Sequence, residues 1–119
     1  MAIIMVLIGG ALGAMSRYAL DRYVKQRAGR AFPWGTLVVN LLGAGFLGAL
    51  HGGGAGTEVE ALLGTGYCGA LTTFSTFELD TVHLIRDGAY GKAAVNAVGS
   101  LVLGFAAFAA CYAIVRALV

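Results

Sequence analysis

Charged residues gather mainly in three short stretches of this chain, and four apolar runs lie between and beside them. The first run extends from Ala2 to about Leu20 and is interrupted only by Arg17. Asp21, Arg22, Lys25, Arg27 and Arg30 follow, closed by Phe32-Pro33-Trp34. This cluster reads as a water-facing loop, with Trp34 at the headgroup level where aromatic rings concentrate. The second run, from Trp34 to Leu50, has no charge and gives way to His51-Gly52-Gly53-Gly54, a flexible loop that also holds Glu58 and Glu60. The third begins near Ala61 and ends near Ile85, with a polar stretch in its middle. Arg86, Asp87, Gly88 and Lys92 mark the next loop, and the fourth run, Ala93 to Val115, is uncharged and ends at Arg116.

Each run is long enough for a membrane-crossing helix, which needs about 20 mostly apolar residues; membrane strands need only about 9–11 and alternate strictly in polarity. The pattern predicts an all-α integral membrane protein of four transmembrane helices in one domain, residues 1–119. Composition agrees: 59% of the 119 residues are hydrophobic and 12% charged, about half the charged share of a soluble domain. Four spans and their loops use nearly the whole chain, which leaves no soluble catalytic domain and no basic soluble face for nucleic acid; an enzyme is not expected. Met1-Ala2-Ile3-Ile4-Met5 lacks a signal peptide's basic segment and reads as the start of the first helix. Cys68 and Cys111 fall inside apolar runs, where thiols behave as small hydrophobes and form no disulfide framework.

Nineteen glycines would weaken soluble helices, but in a bilayer small residues let helices approach closely. Gly9-x-x-x-Gly13, Ala44-x-x-x-Gly48 and Ser100-x-x-x-Gly104 each put small residues on one helix face. They predict tight packing within the chain and between subunits.

Polar side chains at bilayer depth are costly unless they pair or line a wet path. Gly69-Ala70-Leu71-Thr72-Thr73-Phe74-Ser75-Thr76-Phe77 lies at the centre of the third run, preceded by Gly64 and Gly66. Its hydroxyl residues offer the backbone competing hydrogen bonds. A helix broken here would release carbonyls and amides, which a membrane tolerates only where backbone is buried or lines a cavity, and such breaks commonly hold ions. The alternative is an intact helix whose hydroxyls bond back to the preceding turn. Phe74 and Phe77, three apart, share a helix face; they are either core or lining. As lining, their ring edges carry partial positive charge and favour a small anion. Thr36 and Asn40 in the second run, and Asn96 and Ser100 in the fourth, are neutral donors on otherwise apolar helices. Each is either an interhelical hydrogen bond or part of a path for an anion that must bind and still leave. Arg17 either snorkels to the headgroups or attracts anions at a vestibule. Glu78 and Asp80 repel anions and are expected to cap or pair locally. His51 and His83 have no second ligand nearby for a metal.

Three motifs give the chain a resemblance over essentially its whole length. They are Gly9-Gly10-x-x-Gly13-Ala14-x-x-Arg17-Tyr18, Gly35-Thr36-Leu37-x-Val39-Asn40-x-x-Gly43, and Gly69-x-x-Thr72-Thr73-Phe74-Ser75-Thr76-Phe77. The chain resembles the small fluoride-channel family known as Fluc or CrcB. The resemblance implies an antiparallel homodimer in the bacterial inner membrane, with two pathways that release cytoplasmic fluoride down its gradient. It also implies a third helix broken mid-membrane, where carbonyls of Gly69 and Thr72 hold a structural sodium ion at the dimer centre. Fluoride contacts map onto Phe74, Phe77 and Asn40, with a polar track at Thr36 and Ser100 and its far end near Asn96. The chain departs from the pattern at Asn96, where some members have Tyr, at Gly104, where some have Ser, and at Glu78-x-Asp80, where Ser-x-Glu is usual.

Two other functions compete. A proton-coupled exporter of the small multidrug type also has four short spans but needs a titratable carboxylate within one, for which only Glu78 and Asp80 qualify. A non-transporting scaffold subunit explains the glycines but not the neutral polar line. Topology adds a tension: the first and third loops carry Arg22, Lys25, Arg27, Arg30, Arg86 and Lys92, while the opposite side has Arg116. The positive-inside rule then places both termini outside, whereas an antiparallel dimer requires both orientations.

Overall fold

The computed structural model describes residues 2–29 and 31–119, the side chain of Ser75 excepted. Arg30's expected place in the basic loop and the Ser75 hydroxyl's place in the polar stretch lie outside the described residues, as does Met1. The described chain is helical apart from its connections. Helix α1 is Ala2–Ala28 and α2 is Trp34–Gly52. Residues 57–71 form α3, which opens as an α-helix at Thr57–Val59, widens to π-winding over Glu60–Cys68 and closes at Gly69–Leu71. Helix α4 is Ser75–Arg86 and α5 is Tyr90–Leu118.

The basic cluster after the first apolar run is not a loop. Helix α1 continues through Asp21, Arg22, Lys25 and Arg27. Arg, Lys and Gln are good helix formers, Asp21 and Lys25 pair at 3.0 Å one turn apart, and the Arg27 guanidinium lies 5.1 Å from the Tyr23 ring centre. The helix stops where Gly29 takes φ +82°, the left-handed terminator for which glycine is suited.

Among the described residues three helices, α1, α2 and α5, are long and apolar enough to cross a membrane. At about 1.5 Å per residue, α2 measures roughly 28 Å, close to the hydrocarbon thickness of about 30 Å. The remaining apolar stretch is divided between α3 and α4. Helix α2 lies along α5 in the same direction: a Cβ at Gly48 would strike the Phe108 backbone, and one at Gly52 the Tyr112 backbone. Likewise α1 runs along α3, where Gly9 meets the backbone of Leu62 and Gly13 that of Tyr67. Lipid gives helices little hydrophobic reason to associate, so these backbone-close contacts carry the packing. Gly104 differs, with no neighbouring atom close enough to touch an added Cβ among the described residues. The buried apolar set is small: Leu37, Val39, Ala61, Cys68, Leu71, Leu84 and Ala93. Large apolar side chains such as Ile3, Leu7, Val98 and Phe105 stay exposed in the protomer, which suits a surface facing lipid or another chain.

Candidate functional site

The centre of the site is the interval between α3 and α4. Thr72 is extended, at φ −80° and ψ 158°, and the chain turns back into helix at Ser75. Side chains redirect the backbone bonds that a continuous helix would make. Thr73 N–H, which would donate to Gly69 O in an α-helix, donates instead to Asn40 Oδ1 at 2.8 Å. Thr76 N–H, which would donate to Thr72 O, goes to Thr73 Oγ1 at 3.2 Å. The carbonyls of Gly69 and Thr72 are thereby relieved of their helical donors. Thr72 itself bonds back to Cys68 O through both its N–H and its hydroxyl, at 3.0 and 2.9 Å.

Asn40 braces this interval from α2. Its Nδ2 donates to Thr73 O at 3.2 Å while its Oδ1 accepts from Thr73 N–H, so one amide clasps both backbone polar groups of one residue. An Asn amide carries two N–H donors, so one remains for another partner. Gly43, one turn beyond Asn40, lets the Thr72 methyl sit directly against α2. A cavity of about 410 Å³ opens here, lined by Asn40, Gly43, Gly69, Thr72, Thr73 and Phe74 among others. Phe74 is 70% exposed in the protomer, and its ring centre lies 5.9 Å from that of Phe77 at a 35° tilt.

The other predicted residues form a second polar group beside the first. Thr36 is buried and its hydroxyl donates to Asp80 Oδ2 at 2.8 Å. Asp80 therefore does not cap or pair locally; it joins α4 to α2 across 44 residues of sequence. A hydroxyl has one proton, and that of Thr36 is used. Arg17 faces a small cavity of about 140 Å³ that it shares with Asp21, Thr36, Thr73 and Thr76. Asn96, buried on α5, donates through Nδ2 to Thr81 Oγ1 at 2.9 Å, and Thr81 Oγ1 donates to Phe77 O at 2.9 Å. Ser100 lies one turn further along α5, at a groove lined by Ala44, Leu47, Leu101, Gly104, Phe105 and Phe108.

Asn40, Thr72, Gly69 and Phe74 thus share one cavity, Thr36 and Arg17 share another, and Asn96 and Ser100 occupy the α5 side. Sequence reasoning passed over Thr73 as a bracing residue and Thr81 altogether. Thr81 lies four residues after Phe77, the spacing at which a helical hydroxyl bonds back to a carbonyl. That signal is common, and it does not reveal the partner on α5.

Comparison with known proteins covers the residues that build this site. The sequence profile of the family described as "CrcB-like protein, Camphor Resistance (CrcB)" matches residues 4–112. Among relatives, a protein of Opitutus terrae named "Fluoride-specific ion channel FluC" is 44% identical over 105 residues, covering 82% of this chain and 80% of its own. "Fluoride-specific ion channel FluC 1" of Nocardia farcinica is 49% identical over 99 residues, covering 83% of this chain and 70% of its own. A FluC of Magnetococcus marinus is 43% identical over 108 residues, covering 87% and 88%. With a profile match over most of its length and relatives this similar, the chain belongs to the CrcB family.

Proposed function

We propose that this chain is a fluoride-selective channel, a multi-pass protein of the bacterial inner membrane that releases cytoplasmic fluoride by passive electrodiffusion. The observation that carries this reading is the extent of its similarity to relatives named fluoride-specific ion channels, between 43% and 49% identical over more than four-fifths of the chain. The geometry supports it. Asn40 and Phe74 line the cavity at the interval between α3 and α4, and the Phe77 ring centre lies 5.9 Å from that of Phe74; ring edges and an amide N–H there would act in place of a full positive charge. Fluoride is small and strongly hydrated, so a path must replace water with directional partners that still release the ion. Ring edges supply partial positive charge without a countercharge that would trap it.

In this reading the chain crosses the membrane four times, and α3 and α4 meet near mid-membrane as the two halves of the third crossing. Two copies assemble antiparallel, each with a path along Phe74, Phe77, Asn40, Thr36, Asn96 and Ser100, and Arg17 lies at its vestibule. Thr36 serves the path by holding Asp80, since its own proton is taken. A structural sodium ion would rest on the carbonyls of Gly69 and Thr72 from both copies. The residues fit such an ion, because both carbonyls have lost their helical donors to Asn40 and Thr73 and hard cations prefer oxygen ligands. Among the described residues no group of three His, Cys, Asp or Glu side chains offers an alternative site.

Asp80 is the observation that favours a rival. A carboxylate held between helices is what a proton-coupled exporter requires. Purified protein in liposomes loaded with fluoride or chloride separates the readings. The channel releases fluoride rapidly, with chloride retained and no requirement for a pH gradient. Fluoride efflux that occurs only when a proton gradient is imposed would establish the exporter instead.

A further inference from the structure

Asn96 is a buried polar side chain that is only half bonded. It is 1% exposed, its Nδ2 donates to Thr81 Oγ1, and its Oδ1 has no hydrogen-bond partner among the described residues. Which end of an amide is oxygen is settled by its neighbours, and here the neighbour decides. Thr81 gives its single proton to Phe77 O, so its oxygen can only accept, and Asn96 must present an N–H to it. The carbonyl end of the amide is thereby turned away, without a donor. Ser100, four residues on and therefore on the same face of α5, has a buried Oγ that is likewise unpartnered among the described residues.

We infer that Thr81 is a positioning residue of the fluoride path: it relays the backbone of Phe77 to the Asn96 amide and fixes which way that amide points. This rests on the channel reading above. The relay has a chemical consequence. Held this way, Asn96 shows a permeating hydrated anion two different groups, an N–H for fluoride itself and a carbonyl oxygen that accepts from a water of its shell. Ser100 Oγ can donate to the anion or bond to the same water. A bare ring of donors would hold fluoride more tightly, whereas an acceptor among the donors keeps part of the hydration in place and helps the ion leave. Both hydrogen bonds of Thr81 go to protein partners, Phe77 O and Asn96 Nδ2. It acts only through Asn96 and through the Phe77 carbonyl, at the first turn of α4 where the ring is set.

The test is fluoride efflux from liposomes for the wild type, Thr81→Val, Thr81→Ser, Asn96→Leu and the Thr81→Val/Asn96→Leu double variant, each first checked for elution as a folded species. Valine keeps the shape of threonine and deletes both bonds; serine keeps both bonds. The expected result is a fall of about tenfold for Thr81→Val, the scale of one lost neutral hydrogen bond. Thr81→Ser should stay near the wild-type rate, and the double variant should be no slower than Asn96→Leu alone, because interacting residues are not additive. Thr81→Ala takes the place of the valine variant if valine prevents folding. Wild-type speed in the valine variant, equal loss in the serine variant, or full additivity in the double variant each overturns the inference. Absence of fluoride efflux from the wild type overturns the channel reading itself, a distinguishable failure.

Discussion

At Phe74 and Phe77 the two readings open in the sequence lead to different chemistry. An exposed Phe74 contributes little to the packing of its own protomer, so replacing it with isoleucine should cost little stability, under about 1.5 kcal/mol for a volume-conserving swap. We expect Phe74→Ile and Phe77→Ile each to abolish or sharply reduce fluoride efflux from liposomes while a folded dimer still elutes on size exclusion. Near-normal efflux in both would make the rings packing residues. Asn40 has a heavier structural part. Asn40→Leu leaves the N–H and the C=O of Thr73 unpaired, which should cost about 2–4 kcal/mol, one to two for each group, read as a drop in thermal unfolding temperature in detergent. Asn40→Asp keeps the acceptor for Thr73 N–H but loses the donor to Thr73 O and buries a carboxyl, so it should not restore the wild-type stability. The sequence made Asn40, Thr36, Asn96 and Ser100 conspicuous because each is a polar group in an apolar run. It could not show that Thr36 and Asp80 are bonded, since their approach depends on how α2 and α4 cross.

Elements were legible where apolar runs are long, as in α2 and α5. The end of α1 departs from the loop that its charge suggests, because Lys, Arg and Gln readily extend a helix into water. The polar centre of the third run left an intact and a broken helix both open, and the glycines at 64, 66 and 69 suggested weakness without indicating the π-winding of Glu60–Cys68. Gly9 and Gly13 of α1 admit the backbone of α3 beside this winding, a tertiary contact that no local pattern encodes. The same close approaches predict an asymmetry among small residues. Gly48→Ala drives a methyl into the Phe108 backbone of α5 and should destabilise the protein by about 1–3 kcal/mol, as overpacking does. Gly10→Ala meets no neighbour among the described residues and should hold or raise the unfolding temperature, because alanine is the better helix former. Thermal unfolding in detergent compares the two.

For the whole molecule, the protomer measures 46 Å in its longest direction, near the full bilayer thickness of about 40–45 Å, and its exposed apolar surface requires lipid or a second copy. Two arguments about orientation diverge. Charge at the end of α1 and around the α4–α5 connection favours both termini outside, while the proposed antiparallel dimer needs equal numbers of each orientation. We expect a single cysteine placed at either terminus to be labelled from both sides of the membrane; labelling from one side throughout would exclude the antiparallel assembly. The sodium proposal also belongs at this scale, because two copies supply the carbonyls of Gly69 and Thr72. Complete removal of sodium and potassium should impair fluoride flux or the dimer, and full function without either ion would remove that site from the account.

The most direct measurement is the reversal potential across a planar bilayer holding the purified protein, with fluoride graded and chloride equal on both sides. A fluoride channel reverses at the fluoride equilibrium potential, near 59 mV for a tenfold gradient of a singly charged ion, and an imposed pH gradient leaves that potential where it is. A potential that follows chloride, or that moves with the pH gradient, would contradict the account.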